Sequence, residues 1–171
     1  MACTALTKGR GLSCFRSQGG VKNIYFAVFD EIIAFTIANS EVTNIDMGTN
    51  DLYKYSLERG VASVTETIVG STENGTIYYT PSVTLQLNKL TKADQNELNA
   101  LGQSKLVVFA ELNELASAAS PKNKILVLGS TNGMRLNAGT NTSGTAWADR
   151  NGYDWTLDGM EQDPMQLMIP Y

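Results

Sequence analysis

Four carboxylates crowd a short stretch near the C-terminal end, where residues 149–161 read DRNGYDWTLDGME. Asp149, Asp154, Asp158 and Glu161 there could hold calcium or supply a general acid and base. A calcium loop of the EF-hand type needs oxygen ligands at positions 1, 3 and 5, Gly at 6 and Glu at 12. Counting from Asp149, Gly152 falls too early and Met160 stands where the bidentate Glu belongs. An acid pair needs two carboxylates in contrasting environments across a cleft. Asp154 and Asp158 instead alternate with Tyr153, Trp155 and Leu157, the pattern of a strand with one solvated face. The bland reading, with Asn151-Gly152 as a tight turn feeding that strand, accounts for the stretch without chemistry.

Other reactive combinations fare no better. The chain has no histidine, which removes Ser-His-Asp sites, Cys-His sites and all imidazole metal ligands. Its two cysteines, Cys3 and Cys14, have neither C-x-x-C spacing nor partners for a four-ligand set. A bridge between them is open on spacing, but the N-terminus lacks the apolar core of a secretory leader, and a reducing compartment is expected. The glycine-containing stretches RGLS and LNAGTNTSGTA lack the phosphate-cradling pattern. Glu66, Glu73, Asp94 and Glu111 show no mutual spacing that suggests a site. Tyr53 and Tyr78 could stack on sugars or bases, though such residues in a β protein more often pack across strands. No catalytic, cofactor or metal site is expected, and an enzyme is not.

The composition narrows the partners. Of 171 residues, 43% are hydrophobic and 18% charged, which suits a folded domain rich in Thr, Asn, Ser and Gly. The formal net charge is -4, and the basic residues are scattered without a run. That gives no support to a phosphate-gripping surface. The longest apolar runs, residues 24–29 and 32–38, are too short to span a bilayer as helices, so no membrane is expected.

The elements that would position these residues are mostly strands. Residues 24–29 and 32–38 read as two largely buried strands, broken by Asp30-Glu31. A short strand is expected at 12–16 and others at 42–47 and 52–57. Residues 61–69 and 76–88 make a long hairpin, the second strand strictly alternating, with Ile77, Tyr79, Pro81, Val83, Leu85 and Leu87 on one face. Asn74-Gly75 supplies the positive-φ turn, and mid-strand Pro81 marks an edge or bulge. One helix is expected over 91–101, with Thr91 as N-cap, Asp94 completing a capping box, an apolar stripe of Leu90, Ala93, Leu98 and Leu101, and Gly102 as terminator. Strands at 105–112, 124–129, 134–138 and 153–157 follow, with loops at 113–123 and 137–144. The predicted architecture is mainly β: an antiparallel sandwich or barrel with one flanking helix, a long hairpin and extended termini. Its parts are an N-terminal arm (1–22), the β domain (23–161) and a C-terminal tail (162–171).

The order TETIVGSTENGTIYYTPSVTLQLNKL, LTKADQNELNALGQ, SKLVVFAEL, KILVLG and SGTAWADRNGYDWTLDGME resembles bacteriophage tail tube proteins, chiefly virion proteins of phages of Bacteroidetes-type hosts. The likeness covers residues 43–161; its most specific part is the closing segment with Asp149, Asn151-Gly152-Tyr153 and Gly159-Met160-Glu161. It implies a structural subunit that forms hexameric rings, stacked into a tube that delivers the genome. The subunit would be assembled in the host cytoplasm and reside in the virion tail. Partners would be further copies, other tail or connector proteins, and double-stranded DNA passing without specific binding. Ring-to-ring contacts would come from the hairpin tip, Ser71, Thr72, Glu73, Asn74, Gly75, Thr76, Ile77 and Tyr78. Asp154 and Asp158 are candidates for an acidic lumen, with an equal claim to an outer solvated face. ELNELASAASPKN is longer than a plain hairpin loop, and the first forty residues match no motif of the family. Alternatives are a head decoration, connector or ring protein, or a carbohydrate-binding β-sandwich.

Overall fold

Strands form where β-branched and aromatic residues alternate with polar ones, and the computed structural model describes them within residues 9–11, 17–38, 41–117 and 120–168. The strands are β1 (Val21–Val28), β2 (Ala34–Ala38), β3 (Glu41–Asp46), β4 (Tyr53–Ser56), β5 (Ala62–Ser71), β6 (Thr76–Asn88), β7 (Leu106–Ser117), β8 (Ser120–Leu128), β9 (Arg135–Thr142), β10 (Gly152–Asp158) and β11 (Gln166–Met168). The helix α1 spans Lys92–Gln103. A seven-stranded sheet has the order β2-β3-β11-β8-β7-β1-β4, and a four-stranded sheet has the order β5-β6-β10-β9. The protein is thus a β-sandwich with one helix. Among the described residues the strand pairings are antiparallel except that of β11 with β3.

The main core lies between the two sheets. Tyr153, Trp155 and Leu157 of β10 stand directly across from Leu87, Leu85 and Val83 of β6. They pack against Ile24, Phe26, Val108, Ala110 and Leu128 of the larger sheet. Tyr55 meets Phe26 edge-on at 5.0 Å and lies 6.3 Å from Trp155, an aromatic chain running through the core. The larger sheet is buried on its other face too. There Ala27, Val107, Phe109 and Val127 form a second cluster with Val42, and Phe29, Ile32, Phe35, Ile45 and Met47 pack against it. Continuous apolar runs such as LVVF in β7 follow from burial on both faces.

The helix begins as its sequence predicts. Thr91 Oγ1 accepts from the Asp94 amide at 3.1 Å and donates to the Asp94 carboxylate at 2.6 Å. It runs on through Gly102, however, and ends against Ser104, whose amide bonds to the Ala100 carbonyl. Only Leu98 and Leu101 of the expected stripe reach the core; Leu90 and Ala93 are exposed.

Several expectations are corrected. Residues 113–117 and 120–123, expected in a polar loop over 113–123, are strand instead, the outer parts of β7 and β8, with Leu115 opposite Asn123 and Ser117 opposite Ser120. Small and polar residues carry little strand signal, yet the neighbouring ladder extends through them. Residues 137–142 likewise belong to β9, ordered by pairing with β10 rather than by their own propensity. Strand β2 is exposed over most of its length, not buried. Asn151-Gly152 is no tight turn: Gly152 opens β10, and a Cβ there would lie 2.0 Å from the Leu87 carbonyl oxygen. Glycine is required by this close approach, not by a positive φ. The C-terminal segment is not loose where described, since Met165 packs on the core and β11 is inserted between β3 and β8. At the other end Val21 and Lys22, assigned to the arm, belong to β1. The strand expected at 12–16, and Cys3 and Cys14, lie outside the described residues.

Candidate assembly surface

The hairpin of β5 and β6 pairs without a register shift from Ala62–Leu85 to Ser71–Thr76. Beyond Ser82 it outruns β10 and meets the chain leaving β10 through a bridge between Tyr79 and Glu161, whose amides and carbonyls exchange bonds of 2.9 and 2.8 Å. Pro81 sits where that ladder breaks off, and its carbonyl accepts from Gly159. From Tyr79 to Gly75 no further strand among the described residues pairs with these two, over about 13 Å at about 3.3 Å per residue. The turn is a four-residue loop, 72–75, rather than a two-residue one. Of the Asn-Gly pair only Gly75 has positive φ, at 64°, and Ser71 Oγ accepts from the Asn74 amide at 3.3 Å.

All eight sequence-predicted contact residues, Ser71 to Tyr78, therefore lie in one projection. Ile77 is 62% exposed. Ile68 is 63% exposed and sits on the same face, paired with Tyr79. Both continue the row that buries Val83 and Leu85 further down, so the apolar row runs out past the body it was packing against. The sequence reading missed Ile68, although its alternation with Ala62, Val64 and Glu66 placed it on that face.

Asp154 and Asp158 lie on the outer face of the four-stranded sheet, about 13 Å apart along β10. The Arg150 guanidinium pairs with Asp154, and Asn137 donates to Asp158. Arg135 stands across from Asp158 on β9. Asp154 is thus ion-paired and Asp158 is held by an amide, and their surroundings are hydroxyl-rich: Thr84, Thr156 and Thr140, with Ser63 and Thr84 linked at 2.7 Å.

The remaining acids of the C-terminal stretch are structural. Asp149 caps the β9–β10 loop, its Oδ2 accepting from the Thr145 and Ala146 amides at 2.9 and 2.7 Å. These amides hold its carboxyl below the usual carboxylate value. Next to them Trp147 stands fully exposed. Glu161 is buried, its two carboxylate oxygens accepting from the Thr131 and Asn132 amides at 2.9 and 3.0 Å. It ties the β8–β9 loop to the chain leaving β10.

Among the described residues no group of three or more His, Cys, Asp or Glu could hold a metal, and no helix is long and apolar enough to cross a membrane. Comparison with protein-family models, with curated proteins and with solved structures returned no match. Fold and surface together define a class: a β-sandwich with an apolar-faced hairpin projecting from its body.

Proposed function

We propose that the protein is a structural subunit of a phage tail tube, self-assembling into stacked, six-membered rings that form the channel for genome delivery. The observation that carries this reading is the projecting hairpin, with Ile68 and Ile77 uncovered beyond the edge of the body. Apolar faces without an internal partner are features of surfaces that receive another chain. The hairpin reaches for a neighbouring ring, and the hydroxyl-rich outer face of the β5-β6-β10-β9 sheet offers passing DNA little to bind. The net charge of -4 per chain sums to -24 over six copies, a field that disfavours adhesion of phosphates. The resemblance over residues 43–161 supports the same assignment. Negative-stain microscopy of the purified protein at rising concentration tests it. Rings or tubes of uniform diameter are expected; a monomer persisting at every concentration overturns the proposal.

A further inference from the structure

An Asn-Gly pair is chemically reactive. Glycine has no Cβ to block its own nitrogen, which can reach the asparagine side-chain carbonyl carbon wherever the local backbone can turn. The chain carries three such pairs, Asn74-Gly75, Asn132-Gly133 and Asn151-Gly152. The fold holds two of them. Asn151 Oδ1 accepts from the Leu90 amide at 3.2 Å, and its carbonyl accepts from the Lys89 amide at 2.6 Å. Gly152 is buried and paired with β6 on one side and β9 on the other. Asn132 donates its side-chain amide to the Met160 carbonyl at 2.7 Å and its backbone amide to Glu161 at 3.0 Å. Gly133 beside it is buried, with Phe29 3.2 Å from where a Cβ would stand.

The third pair stands apart. Asn74 and Gly75 are both exposed in the loop that closes the β5–β6 hairpin. Beyond its chain neighbours, nothing comes within 4 Å of where a Cβ on Gly75 would stand. Among the described residues neither the Asn74 side chain nor the Gly75 amide has a hydrogen-bond partner. The pair is tethered through the Asn74 backbone amide, which donates to Ser71 Oγ at 3.3 Å. Neither packing nor pairing restrains the rotation that brings the Gly75 nitrogen onto Asn74 Cγ.

We infer that Asn74 is a site of spontaneous deamidation, which places a new carboxylate at the hairpin tip. The Gly75 nitrogen gives up its proton to solvent and attacks Asn74 Cγ. The Cγ–Nδ2 bond breaks and ammonia leaves. Water then opens the resulting succinimide ring at one of its two carbonyls. One opening leaves an aspartate at position 74. The other leaves an isoaspartate, whose main chain is one methylene longer inside the four-residue loop. Either product adds one negative charge, taking the net charge of -4 to -5. That charge lies next to Glu73 and three residues from exposed Ile77. Desolvating a charge is costly, so the modified tip docks poorly against another chain. This consequence rests on the assembly reading above; the chemistry at Asn74 does not.

Mass spectrometry of the full chain, held folded at mildly alkaline pH and then cut with trypsin, tests the chemistry. The three pairs fall on separate peptides, 60–89, 125–135 and 151–171. In the folded chain position 74 should convert about tenfold faster than positions 132 and 151, because an ordered pair must open locally before it reacts. In concentrated urea the three rates should converge. Equal rates in the folded chain, or no conversion at position 74, overturn the inference. Asn74→Asp tests the consequence by negative stain, with rings kept and stacking lost as the expected result. If wild type forms tubes and Asn74→Asp stacks equally well, the effect on docking falls while the tube reading stands. If wild type never assembles, the tube reading falls, and the peptide rates still decide the modification.

Discussion

Single residues in this protein are placed by contacts that their types alone do not announce. Gly152 looks like half of an Asn-Gly turn, yet it is needed because β6 passes so close that a Cβ would collide with the Leu87 carbonyl. Gly152→Ala should destabilise the fold by about 3 kcal/mol, as overpacking does, read as a lower midpoint in urea unfolding. Gly75→Ala provides the contrast. It has positive φ but open space around it, so the cost should be about 1–2 kcal/mol of left-handed strain. Equal effects at the two sites would refute the distinction. Glu161 likewise reads as one acid among four but is a buried cap. Glu161→Ala strands the Thr131 and Asn132 amides and should cost about 2–6 kcal/mol, at about 1–3 kcal/mol for each orphaned group, measured by thermal unfolding.

At the scale of elements, pairing decides what propensity leaves open. The β1–β7 pair is pinned at Glu111, which accepts from Lys22 at 3.1 Å, Asn23 at 2.6 Å and Tyr25 at 3.0 Å. Burial pushes the Glu111 carboxyl up, but the hydrogen bonds from Asn23, Lys22 and Tyr25 and the Lys22 charge outweigh it and hold the group below 4.5. A lowered native value means the stabilisation is present above pH 4.5 and is lost as pH falls through the native value. Unfolding free energy measured from pH 6 down to pH 3 should therefore fall more steeply in wild type than in Glu111→Gln; parallel curves would count against the linkage. Helix α1 was legible because Thr91 and Asp94 are local to it. Its end was not, since the chain continues through Gly102 to Ser104 without a left-handed cap. Strand residues 113–117 and 137–142 were illegible for the same reason in reverse. Their small polar side chains favour loops, and only the ladders to β8 and β10 make them strands.

At the scale of the whole molecule, the hairpin's projection is the feature the proposed assembly would use. Replacing residues 70–77 with Asn-Gly joins the facing Val69 and Tyr78 by a two-residue turn and keeps the Tyr79–Glu161 bridge. Circular dichroism should be unchanged, and stacking into tubes, seen by negative stain, should be lost. Persistent tubes would remove the hairpin from the ring-to-ring contact. Alternation and composition by themselves determined the β class, the long hairpin, the single capped helix and the absence of any imidazole chemistry. Those properties are written in local patterns of two to four residues. Tertiary structure alone decided that β11 returns between β3 and β8, that Arg135 stands across from Asp158, and that Ile68 and Ile77 outrun their core. Each of these joins segments far apart in the chain, and no periodicity within a segment records which distant segment will cover it.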